Sequence, residues 1–98
     1  MVNTTNNLAL RWSSEAEADL AHNIDYIRER NPDAAHKILD IIEKKTANLP
    51  LNPKIYRAGR VKGTREMPVT SSYLVVYEES SVEVRILRVL HTAQMWPE

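Results

Sequence analysis

The sequence contains no cysteine, and this absence excludes a disulfide framework and thiolate metal ligands. It also has no apolar run close to the roughly 20 residues that a helix needs to span a bilayer. Residues 1–10 are polar and carry no basic segment before an apolar core, so we expect no signal peptide. We therefore expect a cytoplasmic protein that does not associate with a membrane.

The chain has 98 residues, of which 43% are apolar and 27% are charged, a composition typical of one globular domain. A domain of this size buries roughly 60–65% of the surface that its unfolded chain exposes, so its stability margin is small. Binding of a partner is therefore expected to raise its apparent stability appreciably. We expect a single domain over residues 1–98, with residues 1–7 disordered.

The net charge is zero, but the charged residues are unevenly distributed. Residues 1–49 hold six Lys and Arg against eight Asp and Glu, whereas residues 50–98 hold seven against five. Residues 54–65, called the basic segment below, contain five cations and no acidic residue: Lys54, Arg57, Arg60, Lys62 and Arg65. This segment predicts a local positive field that attracts an anionic partner.

Two helices are predicted in the first half of the chain. After an alternating strand at residues 8–12, Ser14 stands three residues before Glu17, a capping-box spacing that starts a helix. Asn31 caps a second helix, in which proline takes the first position and an acidic residue follows; this helix runs to about Asn48. The short link between the helices predicts an antiparallel hairpin.

Beyond the second helix the pattern becomes that of a sheet. Residues 65–69, 73–77 and 82–90 are rich in Val, Ile and Tyr, and short turns link them. Consecutive strands with short links predict an antiparallel meander. The predicted fold is therefore α+β: an antiparallel sheet in the order β-α-α-β-β-β with a two-helix hairpin packed on one face. The other face is left to solvent, a partner or a substrate.

Alternation along the last strand assigns its side chains to two faces. The helix-covered face is expected to hold Val82, Val84 and Ile86, and the other face Arg85, Leu87, Val89 and His91. Arg88 falls on the buried parity unless a bulge intervenes. A structural role for Arg88 would pair it with a carboxylate such as Glu66 or Asp19.

Three stretches of the second half resemble RelE/ParE toxins: GRVKGTRE at residues 59–66, YLVVY at residues 73–77 and VRILRVLH at residues 84–91. The segment around ADL, at residues 18–20, resembles the first helix of those toxins. The resemblance covers residues 8–97 and includes the order of the elements. A last strand that ends in Arg-Val-Leu-His is most similar to the ParE-like branch.

The resemblance implies the toxin of a bacterial type II toxin–antitoxin module, a plasmid-stabilisation system. Its expected partner is a cognate antitoxin with a DNA-binding N-terminus and a disordered C-terminal tail, and operator DNA is bound only through their complex. ParE-like toxins inhibit DNA gyrase, whereas RelE-like toxins cut mRNA in the ribosome. We expect gyrase inhibition, because acid–base residues are sparse. The alternatives are a ribosome-dependent mRNA endonuclease and a non-toxic family member that binds only antitoxin and operator.

Each interpretation has its candidate residues. A metal-free ribonuclease needs a base, an acid and cations that stabilise the phosphorane, and His91 with Arg65 are the catalytic candidates in that case only. The surface that binds the target or the antitoxin is predicted to comprise the five cations of the basic segment together with Arg88 and Trp96. His22 and His36 lie on the helices without a matching set of carboxylates, so neither a metal nor a cofactor is predicted.

Overall fold

The computed structural model describes residues 8–97, and the residues expected to be disordered lie outside this range. The elements are β1, Ala9–Trp12; α1, Ser14–Arg30; α2, Pro32–Asn48; a 3-10 turn, Leu49–Leu51; β2, Arg65–Pro68; β3, Tyr73–Glu79; and β4, Glu83–His91. The α+β class and the order of the elements are confirmed. No helix within residues 8–97 combines the length and the apolar character that crossing a membrane requires.

The helix starts follow from capping chemistry, with one correction. Asn31 caps α2 as predicted, because its side-chain oxygen accepts a hydrogen bond from the backbone N–H of Ala34 at 3.1 Å. The cap of α1 is Ser13 and the prediction of Ser14 was wrong. The backbone N–H of Ser13 donates to the carbonyl of Ile86 at 2.9 Å, so pairing with β4 holds Ser13 in an extended conformation. The helix therefore begins at Ser14, directly after its cap.

The sheet has the strand order β1-β4-β3-β2. The predicted meander is confirmed, since β2 pairs antiparallel with β3 and β3 with β4. The prediction of a purely antiparallel sheet was wrong, because β1 runs parallel to β4, from Ala9 beside Glu83 to Trp12 beside Ile86. Side-chain alternation assigns the faces of a strand and carries no information on its direction, which here depends on how the helical hairpin returns the chain to the sheet.

A bulge interrupts the pairing of β3 with β4. Val76 stands beside Arg88 and Tyr77 beside Ile86, so Leu87 is left without a partner on β3. One extra residue in a strand inverts the alternation of every residue that follows it. The faces predicted for the second half of β4 are therefore exchanged.

The exchange moves three of the residues whose faces were predicted: Arg88, Val89 and His91. His91 stands beside Tyr73 on the helix-covered side and not on the open face as predicted. Val84 faces the helices as expected, but Val89 also joins the core on that face, contrary to the prediction. Arg88 lies on the opposite face, the open face of the sheet, beside Leu90. Val82 precedes β4 and is 67% exposed, so its predicted burial was wrong.

Two apolar clusters hold the fold. The main core lies between the helical hairpin and the sheet, and its largest fully buried members are Tyr77, Ile42, Leu49, Met67 and Ile86. A second, smaller cluster lies on the open face, where Leu87 and Trp96 pack against Leu74, Val76 and Leu90. The C-terminal tail thus crosses the face that the helices leave uncovered.

Candidate functional site

The basic segment connects the 3-10 turn to β2 and is folded into a defined turn. Ala58 forms an isolated bridge with Arg65, and the backbone N–H of Gly59 donates to the carbonyl of Thr64 at 2.8 Å. Gly63 has a φ of 86°, a left-handed conformation that favours glycine. The cations of the segment are therefore displayed by an ordered backbone.

Glu66 lies at the base of this turn and pairs with two of the five cations. Its side chain is 2% exposed, and its Oε2 accepts hydrogen bonds from the backbone N–H of Arg60 at 3.0 Å and from Arg60 Nε at 3.1 Å. Arg57 donates to Oε1 at 3.3 Å. The arginines are 43% and 65% exposed, so each binds the buried carboxylate while presenting the rest of its guanidinium to solvent.

The environment of Glu66 keeps the carboxylate ionised. Burial by itself would raise the pKa of Glu66, but the hydrogen bonds from the backbone and side chain of Arg60 and from Arg57 outweigh it. The pKa of Glu66 is therefore lowered from its ordinary value. One buried negative charge thus balances one of the two arginines at neutral pH.

The side chain of Arg65 is more deeply buried than those of Arg57 and Arg60. Its Nε donates to Glu79 on β3 at 3.0 Å, and its NH1 donates to the carbonyl of Tyr56 at 2.8 Å. Both members of the ion pair are mostly buried, with exposed fractions of 27% and 19%. Arg65 therefore ties the basic segment to the sheet.

Lys54 and Lys62 differ from the three arginines. Both are exposed, and within residues 8–97 neither has a carboxylate within 4 Å. The free positive charge of the segment is thus concentrated on these two lysines and on the arginine excess around Glu66. The positive patch is smaller than the sequence alone suggests.

Arg88 is held on the open face by Asp19 of α1. Arg88 Nε and NH2 donate to the two oxygens of Asp19 at 2.7 and 3.1 Å, and the backbone N–H of Val89 donates to Asp19 Oδ2 at 2.9 Å. Of the two carboxylates proposed above as structural partners of Arg88, Asp19 is therefore the one that binds it. This bidentate pair joins the first helix to the bulged strand.

Trp96 covers the apolar cluster of the open face. The guanidinium carbon of Arg88 lies 5.4 Å from the centre of the Trp96 ring, within the range of a cation–π contact. The indole nitrogen is buried and has no hydrogen-bond partner among the described residues. Apolar packing and the nearby cation therefore hold this side chain, and one face of Arg88 is covered by it.

His91 ends β4 in an exposed position. Its Nδ1 accepts a hydrogen bond from the backbone N–H of Ala93 at 3.1 Å, and its ring meets the edge of Tyr73 with the centroids 5.2 Å apart. The backbone N–H of His91 donates to the side chain of Gln94 at 3.0 Å. Burial raises the pKa of Tyr73, so its hydroxyl stays protonated at neutral pH and supplies no base.

The structure does not bring the two catalytic candidates together. Arg65 stands beside Tyr77 and His91 beside Tyr73, so they are four residues apart along β3 and lie on strands either side of it. This offset corresponds to roughly 16 Å between their backbones. The guanidinium of Arg65 is moreover bound by Glu79, which lies still further along β3 from Tyr73.

Glu66 and Glu79 pair with the arginines of the basic segment, and neither was predicted from the sequence as part of this surface. The absence of acidic residues within residues 54–65 favoured a positive field, but one carboxylate follows directly after the segment and the other reaches it from β3. Glu66 could have been suspected, because an acidic residue in a strand needs a nearby cation when it is buried. The pairing of Arg65 with Glu79 depends on strand register.

No group of three or more His, Asp and Glu within residues 8–97 is arranged to hold a metal ion. His22 and His36 are exposed on α1 and α2.

A family model described as the ParE toxin of the type II toxin–antitoxin system, parDE, matches residues 10–96. A curated protein of Sinorhizobium fredii, named "Putative toxin Y4kP", is 33% identical over 89 residues, which cover 91% of this chain and 93% of that protein.

Solved structures share the fold. The chromosomal ParDE TA system from P. aeruginosa matches with a TM-score of 0.73 and 23% identity, covering 88% of this chain and 97% of that chain. The E. coli DinJ-YafQ toxin–antitoxin complex matches with a TM-score of 0.63 and 15% identity, covering 91% of this chain and 97% of that chain. At these identities the likeness is one of fold.

Proposed function

The chain belongs to the ParE toxin family of type II toxin–antitoxin systems, and from this premise we propose that it arrests growth by inhibiting DNA gyrase. It is the toxin component of such a module. We further propose that a cognate antitoxin neutralises it in the cytoplasm, where gyrase also acts. Two of its structural neighbours are toxin–antitoxin systems, which supports an antitoxin as its partner.

The surroundings of His91 are the observation that favours inhibition by binding over RNA cleavage. Within residues 8–97, the His91 side chain accepts a hydrogen bond from Ala93 and makes a ring contact with Tyr73, and it takes part in no ion pair. Cleavage of RNA without a metal needs cations beside the acid–base group to stabilise the phosphorane. Arg65, the proposed catalytic cation, is paired with Glu79 and lies far from His91. Inhibition by binding needs an exposed contact surface and does not need cations placed beside an acid–base group.

The basic segment is the proposed contact surface for an anionic or acidic partner. Lys54 and Lys62 contribute the charges that no carboxylate within residues 8–97 balances, and Arg57 and Arg60 share one carboxylate. Arg88 and Trp96, which contact each other on the open face, are also proposed to contact the target or the antitoxin. Electrostatic complementarity of this kind speeds encounter and selects partners.

Expression of the toxin without its antitoxin tests the proposal. A gyrase inhibitor is expected to induce the DNA-damage response and filamentation while protein synthesis continues, and the purified protein is expected to inhibit DNA supercoiling by gyrase. A ribosome-dependent endonuclease would stop protein synthesis first and leave cut sites in mRNA. Absence of any growth effect would favour the non-toxic alternative.

His91→Ala separates the two toxic mechanisms in the same cells. Because the side chain is exposed and its bond to Ala93 is local, the variant is expected to fold and to arrest growth as the unmodified protein does. The growth curve and the melting temperature are the measurements. Loss of growth arrest with an unchanged melting temperature would contradict the gyrase proposal and place His91 in a cleavage site.

A further inference from the structure

Two large aliphatic side chains are exposed at one cleft, in the stretch that runs from the end of α2 into the start of the basic segment. Leu51 is 65% exposed and Ile55 is 62% exposed. They line a cleft of about 490 Å³ together with Tyr56 and the polar residues Lys45, Asn48 and Asn52. Leu51, Ile55 and Tyr56 are called the apolar corner below. Exposed apolar groups gathered at one place on a small domain mark an interaction surface.

The backbone under the apolar corner is held in one shape. Leu49, at the start of the 3-10 turn, is buried in the main core. The hydroxyl of Tyr77 donates to the carbonyl of Pro53 at 2.7 Å, and Arg65 donates to the carbonyl of Tyr56 at 2.8 Å. These bonds anchor the connection to the sheet on both sides of Ile55. A surface ordered before binding loses little conformational entropy when a partner docks.

The charge around the apolar corner is positive. Lys45 lines the cleft, where its ammonium donates to the carbonyl of Pro68 at 3.0 Å, and Lys54 precedes Ile55 in the chain. None of the residues that line the cleft is acidic. A complementary partner therefore offers apolar side chains next to Asp or Glu. A nucleic acid is the poorer match, because single-stranded bases are bound by stacking on exposed aromatic rings, whereas the most exposed members of the corner are aliphatic and Tyr56 is only partly exposed.

We propose that the apolar corner is the surface through which the toxin binds its protein target, packing Leu51 and Ile55 against an acid-flanked apolar patch of that target. The inference rests on the proposed function, in which the target is DNA gyrase. Exposed apolar side chains gathered beside cations form a compact anchor of the kind that supplies most of the binding energy in protein interfaces. An extended antitoxin tail needs a longer track than this corner offers.

The double variant Leu51→Ser/Ile55→Ser tests the proposal. Because both side chains are exposed, the variant is expected to keep its melting temperature and its affinity for the antitoxin. Growth arrest is expected to be lost, and the concentration that half-inhibits gyrase supercoiling is expected to rise by roughly tenfold or more. Val82→Ser is the matched control, since Val82 is an equally exposed aliphatic residue at the β3–β4 turn. It should leave all four measurements unchanged.

A charge reversal probes the electrostatic part of the same surface. Lys54→Glu places a negative charge beside the apolar corner and is expected to slow association with gyrase, with a loss that shrinks as salt is raised. An unchanged association rate would contradict the assignment of an acidic partner.

The remaining outcomes separate the inference from the proposed function. Growth arrest by Leu51→Ser/Ile55→Ser at the unmodified level overturns the inference, and so does a parallel loss of antitoxin affinity, which would assign the corner to the antitoxin. Binding of single-stranded RNA that depends on Leu51 and Ile55 also overturns it. If the unmodified protein arrests growth without inhibiting gyrase, the proposed function fails, but the growth comparison with Val82→Ser still decides whether the corner contacts the target.

Discussion

At single positions, the surface formed by the basic segment depends on two carboxylates, Glu66 and Glu79, as much as on the cations of residues 54–65. Glu66 is nearly inaccessible to solvent, yet it accepts hydrogen bonds from Arg57 and Arg60 and stays ionised. Burying a charge is costly unless it is paired and hydrogen-bonded, and here the pairing also positions both arginines. The same carboxylate therefore contributes to stability and to the display of the positive patch.

Glu66→Gln is expected to lower the free energy of unfolding at neutral pH by about 1–3 kcal/mol, because the charged hydrogen bonds to both arginines are lost. The folded-state pKa of Glu66 lies below its ordinary value, so the contribution of the ionised group is complete above the unfolded-state pKa. It is lost as the pH falls through the lowered folded-state pKa. Urea unfolding over this acidic range should accordingly show a shallower pH dependence for the variant.

The control for Glu66→Gln is Glu78→Gln. Glu78 is exposed, and no ion pair within residues 8–97 involves it. Its substitution is expected to change the unfolding free energy by less than about 0.5 kcal/mol. Equal effects of the two substitutions would show that the buried ion pairs contribute nothing specific.

Between elements, the start of α1 and the bulge of β4 are joined through one serine. Ser13 Oγ accepts a hydrogen bond from the backbone N–H of Ala16 at 3.0 Å and donates to the carbonyl of Leu87 at 3.1 Å. Leu87 is the bulged residue, whose backbone has no partner position on β3. The cap of the helix therefore also satisfies a carbonyl that the interrupted ladder leaves available.

Ser13→Ala is expected to destabilise the protein by about 1–2 kcal/mol, because both the cap and the bond to Leu87 are lost. Ser14→Ala is the matched control, since Ser14 is exposed within the first turn and alanine favours a helix. Thermal unfolding of the two variants measures the difference. If Ser14→Ala proved the more harmful, the cap would lie where the capping-box spacing predicted it and the structure would be contradicted.

For the whole molecule, the distinctive feature is that the C-terminal tail packs on the face of the sheet opposite the helices. Trp96 packs on Leu74, Val76 and Leu90, and its ring also approaches Arg88, which is bound to Asp19. The tail, the sheet and the first helix are thereby connected through one small cluster. Contacts between such distant parts of the chain increase the cooperativity of unfolding.

Trp96→Ala is expected to lower the free energy of unfolding by about 1–3 kcal/mol, since the apolar surface of the open-face cluster becomes exposed. For a domain of this size, each kcal/mol corresponds to a fall in Tm of roughly 4–8 °C. Met95→Ala is the control, because Met95 is 81% exposed and should be close to neutral. A Tm unchanged by Trp96→Ala would mean that the tail does not hold the open face in solution.

The sequence alone determined what depends on neighbouring residues. Helical periodicity, the cap at Asn31 and the β-rich stretches predicted both helices and all four strands in order, and the stretch from Gly59 to His91 carried the family resemblance. Each of these signals is local, because it depends on backbone preferences and on side-chain spacing within a few residues. The prediction of Ser14 as the cap was wrong, because pairing with β4 makes Ser13 the cap.

Only the tertiary structure decided what depends on register and on distant contacts. The direction of β1, the bulge at Leu87 and the partner of Arg65 are set by how whole strands pair with one another, which no local pattern specifies. Five cations without an acidic residue between them form a smaller positive patch in the folded protein, because Glu66 and Glu79 are brought to them by the sheet. Charge patterns along a chain predict a surface only after folding has placed the opposite charges.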